Sequence, residues 1–368
     1  MKRVVLLTLH YHGSMRRGGF HWLAEAYQRL GWDVVFVTIY ISRLTQLRGQ
    51  DYRLGYPVLA EGNRAVPVRE RFTSYVWLTG WHPMNLRLGW LNRATMGLFS
   101  LYGRLPLRGL RRFVESADLL IYESHAGLLL FDRFRKLAPR ARTVYRVSDS
   151  LDVLDVHPVI RRAERQAAPA FDRVSSSSET VHKRFEHLPN AHMDHHGIDA
   201  VAFDVDRPDP YAPHHRPAAV FVGAAHVDTD FLARAARLHR DVDFHVIGPI
   251  PDLPVENNVI AHGPMPFEQT VPWLKHADIG LACWRYRPGA ESFTDTLKII
   301  QYTWCRLPIV APDFIRTDRP GVVTYQPGSD ASVASALDEA LAMDRTRIDV
   351  SSLQTWEQLA GTLAGPLA

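Results

Sequence analysis

Apolar positions come in short unbroken runs, separated by stretches with helical spacing, and the alternation is played twice along the chain. RVVLLTL (3–9), DVVFVTI (33–39), DLLIYES (118–124), TVYRVSD (143–149) and RVSSSS (173–178) read as strands. Most of them are nearly continuous in apolar residues, as expected of strands covered on both faces of a parallel sheet. Helices are expected near 19–30 and 126–137. The pattern restarts with AAVFVGA (218–224) and continues through DFHVIGP (243–249), NVIAHGP (258–264), DIGLACW (278–284) and LPIVAP (307–312). Helices near 228–240, 266–276 and 293–304 alternate with these strands, and one more is expected over 352–364.

At 368 residues the chain is long enough for two domains. The Pro- and Asp-rich stretch FDVDRPDPYAPHHRP (203–217) reads as the linker between them. Two Rossmann-like halves without a G-x-G-x-x-G fingerprint point to an α/β chain of GT-B architecture, with the two domains facing a central cleft at the carboxyl ends of both sheets. The expected division is an acceptor-binding, membrane-facing domain over 1–202 and a nucleotide-sugar-binding domain over 203–350. Residues 351–368 form a terminal helix able to pack back on the first domain.

Composition adds a compartment and an uneven charge. Only two cysteines occur, Cys283 and Cys305, without disulfide or zinc spacing, so a reducing cytosol is expected. The first apolar run is too short for a signal peptide or a membrane span. The net charge is +4, yet residues 64–115 hold nine arginines against Glu70 and Glu115. Phe72, Tyr75, Trp77, Trp81, Trp90, Phe99, Tyr102 and Phe113 lie in the same stretch. Arginine mixed with aromatics suits a membrane interface and equally single-stranded nucleic acid. Aromatics buried in a core beneath an arginine-rich surface give the same pattern.

Several residues stand where chemistry is expected. Gly223 follows a strand and precedes a helix, where a missing side chain lets a ligand approach the backbone. In FTDTLKIIQYTWCRLPIV (293–310) a helix opens on Thr294, Asp295 and Thr296, and Lys298 and Gln301 share one of its faces. Lysine there suits a diphosphate and glutamine a ribose hydroxyl, though the same spacing fits a solvated helix face. Retaining enzymes of this architecture commonly carry Glu where Gln301 stands, which speaks against a retaining reaction. Trp284, at a strand end, suits either base stacking or the core. Asp204-Val205-Asp206 and Asp228-Thr229-Asp230 match D-x-D but fall in the linker and at a helix start, where Asp is a common cap. His192, His195 and His196 fit no structural zinc spacing. Asp149 ends the strand TVYRVSD, so a carboxylate there is placed to take a proton from an attacking hydroxyl, or to act as a cap. Asp152 and Asp155 lie further into the loop, and Glu123, ending LLIYES, is the rival base.

VYRVSD, HHGID, HVIG, LKIIQY followed by LP, SRL (42–44) and HPMNLR (82–87) together resemble family 70 of the glycosyltransferases, the xanthan-type glucuronosyltransferases. The motifs are short but keep their order from about residue 4 to residue 312. The resemblance implies an inverting, metal-independent enzyme, monotopic on the inner face of the bacterial cell membrane. UDP-glucuronate would be its donor, a polyprenyl-diphosphate-linked oligosaccharide its acceptor, and exopolysaccharide synthesis its setting. It implies no cofactor beyond the UDP-sugar substrate. It assigns the base to Asp149 and donor contacts to Lys298 and Gln301; Gly223 and Thr296, read from the residues themselves, are expected on the donor side with them. The family's donor-site tyrosine falls on Trp284, a family glutamate is replaced by Arg184, and Asp295-Thr296-Leu297 replaces Ser-Ser-Met. Arg16, Arg17, His82, Arg108, Arg111 and Arg112 are the expected acceptor-side or membrane-side residues. Three alternatives stay open: a transferase using another UDP-sugar, a UDP-sugar epimerase, and a non-catalytic module binding nucleic acid or membrane.

Overall fold

The structure is a computed structural model describing residues 1–15, 17–48, 51–213, 216–223, 227–287, 290 and 296–366. Its contacts divide the chain into two compact units, Met1–His195 with Trp356–Ala368, and His196–Thr355.

The first unit is built on an eight-stranded sheet. In chain order its strands are β1 (Arg3–Thr8), β2 (Asp33–Ser42), β3 (Ala65–Arg69), β4 (Phe72–Thr79), β5 (Leu119–Glu123), β6 (Arg142–Val147), β7 (Arg173–Ser176) and β8 (Ala191–Met193). The spatial order is β3-β4-β2-β1-β5-β6-β7-β8. Every pairing is parallel except that of β3 with β4. Val4 to Leu7 and Val34 to Val37 are fully buried, which is why the central strands carry no polar alternation. Helix Pro158–Ala167 starts on a proline whose missing N–H costs nothing there, and His157 accepts from Val159 N as its cap.

The stretch 64–115 departs from an interface pattern. It supplies the β3–β4 hairpin and the helices Gly89–Ser100 and Leu110–Glu115. Phe72, Tyr75, Trp77, Phe99, Tyr102 and Phe113 are all buried. Trp81 is partly buried, and Trp90 alone of the eight aromatics is 68% exposed. The aromatics therefore serve the core, because β4 inserts beside β2 and must be covered like any inner strand. Among the described residues no helix is long and apolar enough to cross a membrane.

The second unit has a short parallel pair, β9 (Gly197–Ile198) with β16 (Gln354–Thr355), and a six-stranded parallel sheet. The sheet strands are β10 (Ala218–Val222), β11 (Asp243–Ile247), β12 (Val259–Gly263), β13 (Ile279–Leu281), β14 (Ile309–Pro312) and β15 (Val322–Tyr325), ordered β12-β11-β10-β13-β14-β15. Residues in 203–217 are bonded into this unit: Lys275 Nζ donates to Val205 O at 3.0 Å and Tyr211 Oη to Trp273 O at 2.8 Å. Helix Trp356–Ala364 closes the first unit, where Tyr27 Oη donates to Ala360 O at 2.9 Å and Arg142 Nε to Leu363 O at 3.1 Å.

The carboxyl edge of the second sheet depends on a close backbone approach. Gly248 has φ of 146°, and a Cβ there would stand 1.7 Å from the carbonyl oxygen of Gly223. Gly223 N in turn donates to Ile247 O at 2.9 Å. Gly248→Ala is therefore expected to cost about 3 kcal/mol of stability. A melting curve reads this directly, with Gly361→Ala as control. A Cβ at 361 meets nothing within 4 Å, and in a helix the change should be neutral or stabilising. Equal melting of wild type and Gly248→Ala would contradict the close approach.

Candidate functional site

In the second unit the ends of β10 and of helix Leu297–Trp304 converge. Phe221 and Gly223 are two residues apart and share one face of the chain as it leaves β10. Lys298 Nζ lies 3.4 Å from the centroid of the Phe221 ring and 5.1 Å from that of Trp284. A Cβ at Gly223 would come within 3.0 Å of the same nitrogen, so only glycine leaves the backbone open beside the ammonium. Lys298 keeps some exposure as a residue, but its charged end is enclosed by rings. That burial pulls its pKa down to about 7.

Thr296 caps this helix, its Oγ1 accepting from Ile299 N at 3.5 Å. The first-turn amides have no acceptor within the helix itself, a setting that favours an anion. Gln301 is half-buried on the Lys298 face. Trp284 is only 6% exposed and belongs to a core cluster, so it forms a wall beside Lys298. The exposed aromatic nearby is Tyr286, with Phe314 at 5.3 Å between ring centroids. Thr294 and Asp295 lie outside the described residues. Asp228 caps helix Thr229–Leu238, accepting from Asp230 N at 3.1 Å and Phe231 N at 3.3 Å, while Asp230 pairs with Arg234 at 2.7 Å. Among the described residues no cluster of His, Cys, Asp and Glu is arranged to hold a metal ion.

In the first unit Asp149 is exposed, two residues beyond the end of β6 at Val147. Its loop is clamped on both sides. Ser177 Oγ donates to Ser148 O at 3.0 Å, and Arg161 holds Leu151 O at 3.0 Å and Leu154 O at 3.2 Å. Arg184 reaches Asp152 at 3.0 Å and the buried Glu164 at 3.0 Å, so the replacement noted in the sequence adds a strut to this loop. The cap of the next helix is His157 rather than Asp149.

Glu123 is built differently. It accepts from Thr8 Oγ1 at 2.6 Å and Leu9 N at 2.8 Å, and His10 Nε2 lies 3.5 Å away. Burial alone would raise its pKa, but His10 and the hydrogen bonds outweigh burial and hold the carboxyl down at about 2. A carboxylate so firmly held is a weak proton acceptor. Sequence reading did not single out His10, which meets Glu123 because β1 and β5 are neighbours.

The expected acceptor-side residues that the structure describes each have their own local partners. Arg16 lies outside the described residues. Arg17 pairs with Glu25 at 2.5 Å and covers the Trp22 ring at 3.8 Å. His82 is buried, with Nδ1 2.8 Å from Ser42 Oγ and its ring 4.2 Å from that of Tyr40. Arg108, Arg111 and Arg112 are exposed, Arg111 pairing with Glu115 at 2.7 Å and Arg112 lying over Phe113 at 4.7 Å.

Comparison with known proteins shows what the chain as a whole is similar to. Residues 6–177 match a family profile described as glucuronosyltransferase GumK, N-terminal domain. A UDP-glucuronate:glycolipid 2-beta-glucuronosyltransferase of Xanthomonas campestris pv. campestris is 29% identical over 346 residues, spanning 93% of this chain and 85% of that protein. Among solved structures, a UDP-forming alpha,alpha-trehalose-phosphate synthase from Burkholderia xenovorans superposes with a TM-score of 0.61 at 12% identity, covering 99% of this chain and 100% of the other. AviGT4, a glycosyltransferase involved in avilamycin A biosynthesis, gives 0.54 at 14% identity over 100% and 99%. At such identities the structures speak for the fold alone, and that fold is GT-B. The chain is a glycosyltransferase, similar in family profile and in its relative to the GumK glucuronosyltransferases.

Proposed function

We propose that the protein transfers glucuronate from UDP-glucuronate to a hydroxyl of a lipid-linked saccharide, with inversion and without a metal ion. The observation that carries this reading is Asp149, an exposed carboxylate on a clamped loop at the carboxyl end of β6. In the proposed step Asp149 takes the proton of the acceptor hydroxyl as its oxygen attacks the anomeric carbon. The bond from that carbon to the diphosphate oxygen breaks, and UDP leaves with the electron pair. Developing charge on the diphosphate is met by Lys298 and the first-turn amides of helix Leu297–Trp304. The donor and glycolipid assignments rest on the activity for which the Xanthomonas relative is named, and the inner membrane face on the resemblance. A nucleic-acid module is disfavoured because the aromatics of 64–115, needed for stacking on bases, are mostly spent in the core.

The first test is Asp149→Asn, which keeps size and removes the ability to take a proton. Turnover per folded molecule should fall about 10²- to 10⁴-fold, with the melting temperature and UDP affinity unchanged. Normal turnover with a lowered melting temperature would make Asp149 a structural residue.

The pH dependence of donor binding follows from Lys298. Its pKa is down at about 7 in the free protein, and a bound diphosphate favours the charged form. Binding therefore takes up a proton above pH 7. UDP affinity should be flat with respect to this group below pH 7 and fall as pH rises, by up to about tenfold per unit for a single group. Calorimetry in buffers of different ionisation enthalpy would detect the proton. No proton uptake at pH 8 would overturn the coupling of diphosphate binding to Lys298 protonation.

EDTA should leave the transfer rate unchanged, and proton NMR of the product should show the inverted anomer. A strict Mn²⁺ requirement, or retention, would overturn the corresponding half of the mechanism. Formation of an altered UDP-sugar from donor alone would favour an epimerase.

A further inference from the structure

A cavity of about 830 Å³ opens on the helical side of the first unit, apart from every residue assigned above. It lies among helix Gly89–Ser100, the turn Ala126–Leu130 with helix Phe131–Leu137, and helix Pro158–Ala167. Its lining is of two kinds. Arg104, Arg133, Lys136 and Arg162 bring four positive charges against the single carboxylate of Asp132, while Met96, Leu128, Leu129, Phe131 and Val159 form apolar walls. Arg133 is partly committed, donating to Gly103 O at 3.2 Å and Leu105 O at 2.7 Å. Arg104, Lys136 and Arg162 are exposed.

The helix that forms one wall carries a second feature. Trp90, Ala94, Gly97, Leu98 and Leu101 recur at helical spacing on one face. Trp90 is 68% exposed, Leu98 52% and Leu101 42%, so this face is apolar and turned to solvent. Gly97 belongs both to this face and to the cavity lining. An apolar face running into a cation-rimmed, apolar-walled cavity fits a molecule with an anionic head and a hydrocarbon tail. Such a helix face beside arginines suits the plane of a membrane interface, where Trp is at home.

We propose that this cavity seats the phosphate head and first acyl carbons of an anionic membrane phospholipid, with the chains lying along Leu98 and Leu101. The idea rests on the reading of the first unit as the membrane-facing one. It narrows that reading from a basic surface to one lipid-sized site.

The test reads lipid binding alone, so its failure leaves the role of Asp149 untouched. Dihexanoyl phosphatidylglycerol, kept below its micellar concentration, is titrated into the full chain by calorimetry, beside dihexanoyl phosphatidylcholine and inorganic phosphate. One-to-one binding of the glycerol lipid is expected, with the other two weaker by tenfold or more. Arg104→Glu/Arg162→Glu should weaken it at least about tenfold, since each basic residue at an anionic lipid surface counts for roughly fivefold. Gly97→Leu should do the same by filling the cavity. A Cβ at 97 meets nothing within 4 Å, and leucine favours a helix over glycine, so the fold is kept. Arg240→Glu should leave monomeric lipid binding unchanged, because that exposed residue belongs to the second unit and does not line the cavity. Absence of monomeric binding, or binding that ignores both cavity variants, would overturn the proposal. Equal binding of the choline lipid would overturn its anionic part, and equal binding of inorganic phosphate its lipid part.

Discussion

Two buried guanidinium groups hold the carboxyl edge of the first sheet, and everything built on that edge depends on them. A parallel sheet ends in carbonyls with no further partner in the ladder, and such groups are costly when buried. Arg53, 4% exposed, donates to Leu9 O at 3.0 Å, Ile39 O at 2.9 Å and Tyr40 O at 2.8 Å, tying the ends of β1 and β2. Asp51 accepts from its other face at 2.9 Å. Tyr40 sits at φ of 59°, which a non-glycine residue rarely adopts, and it stays there with Arg53 on its carbonyl and Tyr102 Oη on its amide at 3.2 Å. Arg146 plays the matching part on β6. It donates to Ser175 Oγ at 2.8 Å and Asp194 O at 2.6 Å, and burial lowers its pKa to about 10. Arginine suits this work because its planar fork satisfies several carbonyls at once. The loops bearing His10 and Asp149 thus leave an edge that is already fixed.

Much of the architecture was legible because central parallel strands must be apolar throughout. β1, β2, β5, β6 and β10 to β14 lie within a few residues of the runs that predicted them, while β15 (Val322–Tyr325) was not foreseen. The hairpin β3–β4 was hidden for a physical reason. Pro67 and Arg69 make β3 an edge strand, half or fully exposed, and proline within a run speaks against a strand. Aromatic content gave no help, since a tryptophan under a sheet and one at a lipid interface look alike in sequence. Only the pairing of β4 with β2 separates Trp77, fully buried, from Trp90.

The candidate site divides the same way. Gly223, Lys298 and Thr296 were legible from local chemistry, a strand end and a helix start. Phe221 could have been found by the same rule, being two residues before Gly223 on an alternating strand. His10 with Glu123 could not, because residues 113 apart meet only once the strand order is known. Trp284 was ambiguous and proves to be walled into the core. Strand ends were the least exact: Asp149 was expected at the end of a strand and lies two residues past it, a shift typical of boundaries read from pattern alone.

The terminal helix Trp356–Ala364 has a bearing on how the protein is made. Its Trp356, Leu359, Ala360 and Leu363 are buried in the first unit, so that unit is a discontinuous stretch of chain. On the ribosome, residues 1–195 emerge first but lack the element that covers Tyr27 and pairs with Arg29. The second unit, His196–Thr355, is contiguous and can complete its own fold while the first still waits. The unit synthesised first is therefore finished last, and a nascent chain stalled before residue 356 carries an uncovered apolar surface that a chaperone or a protease can read.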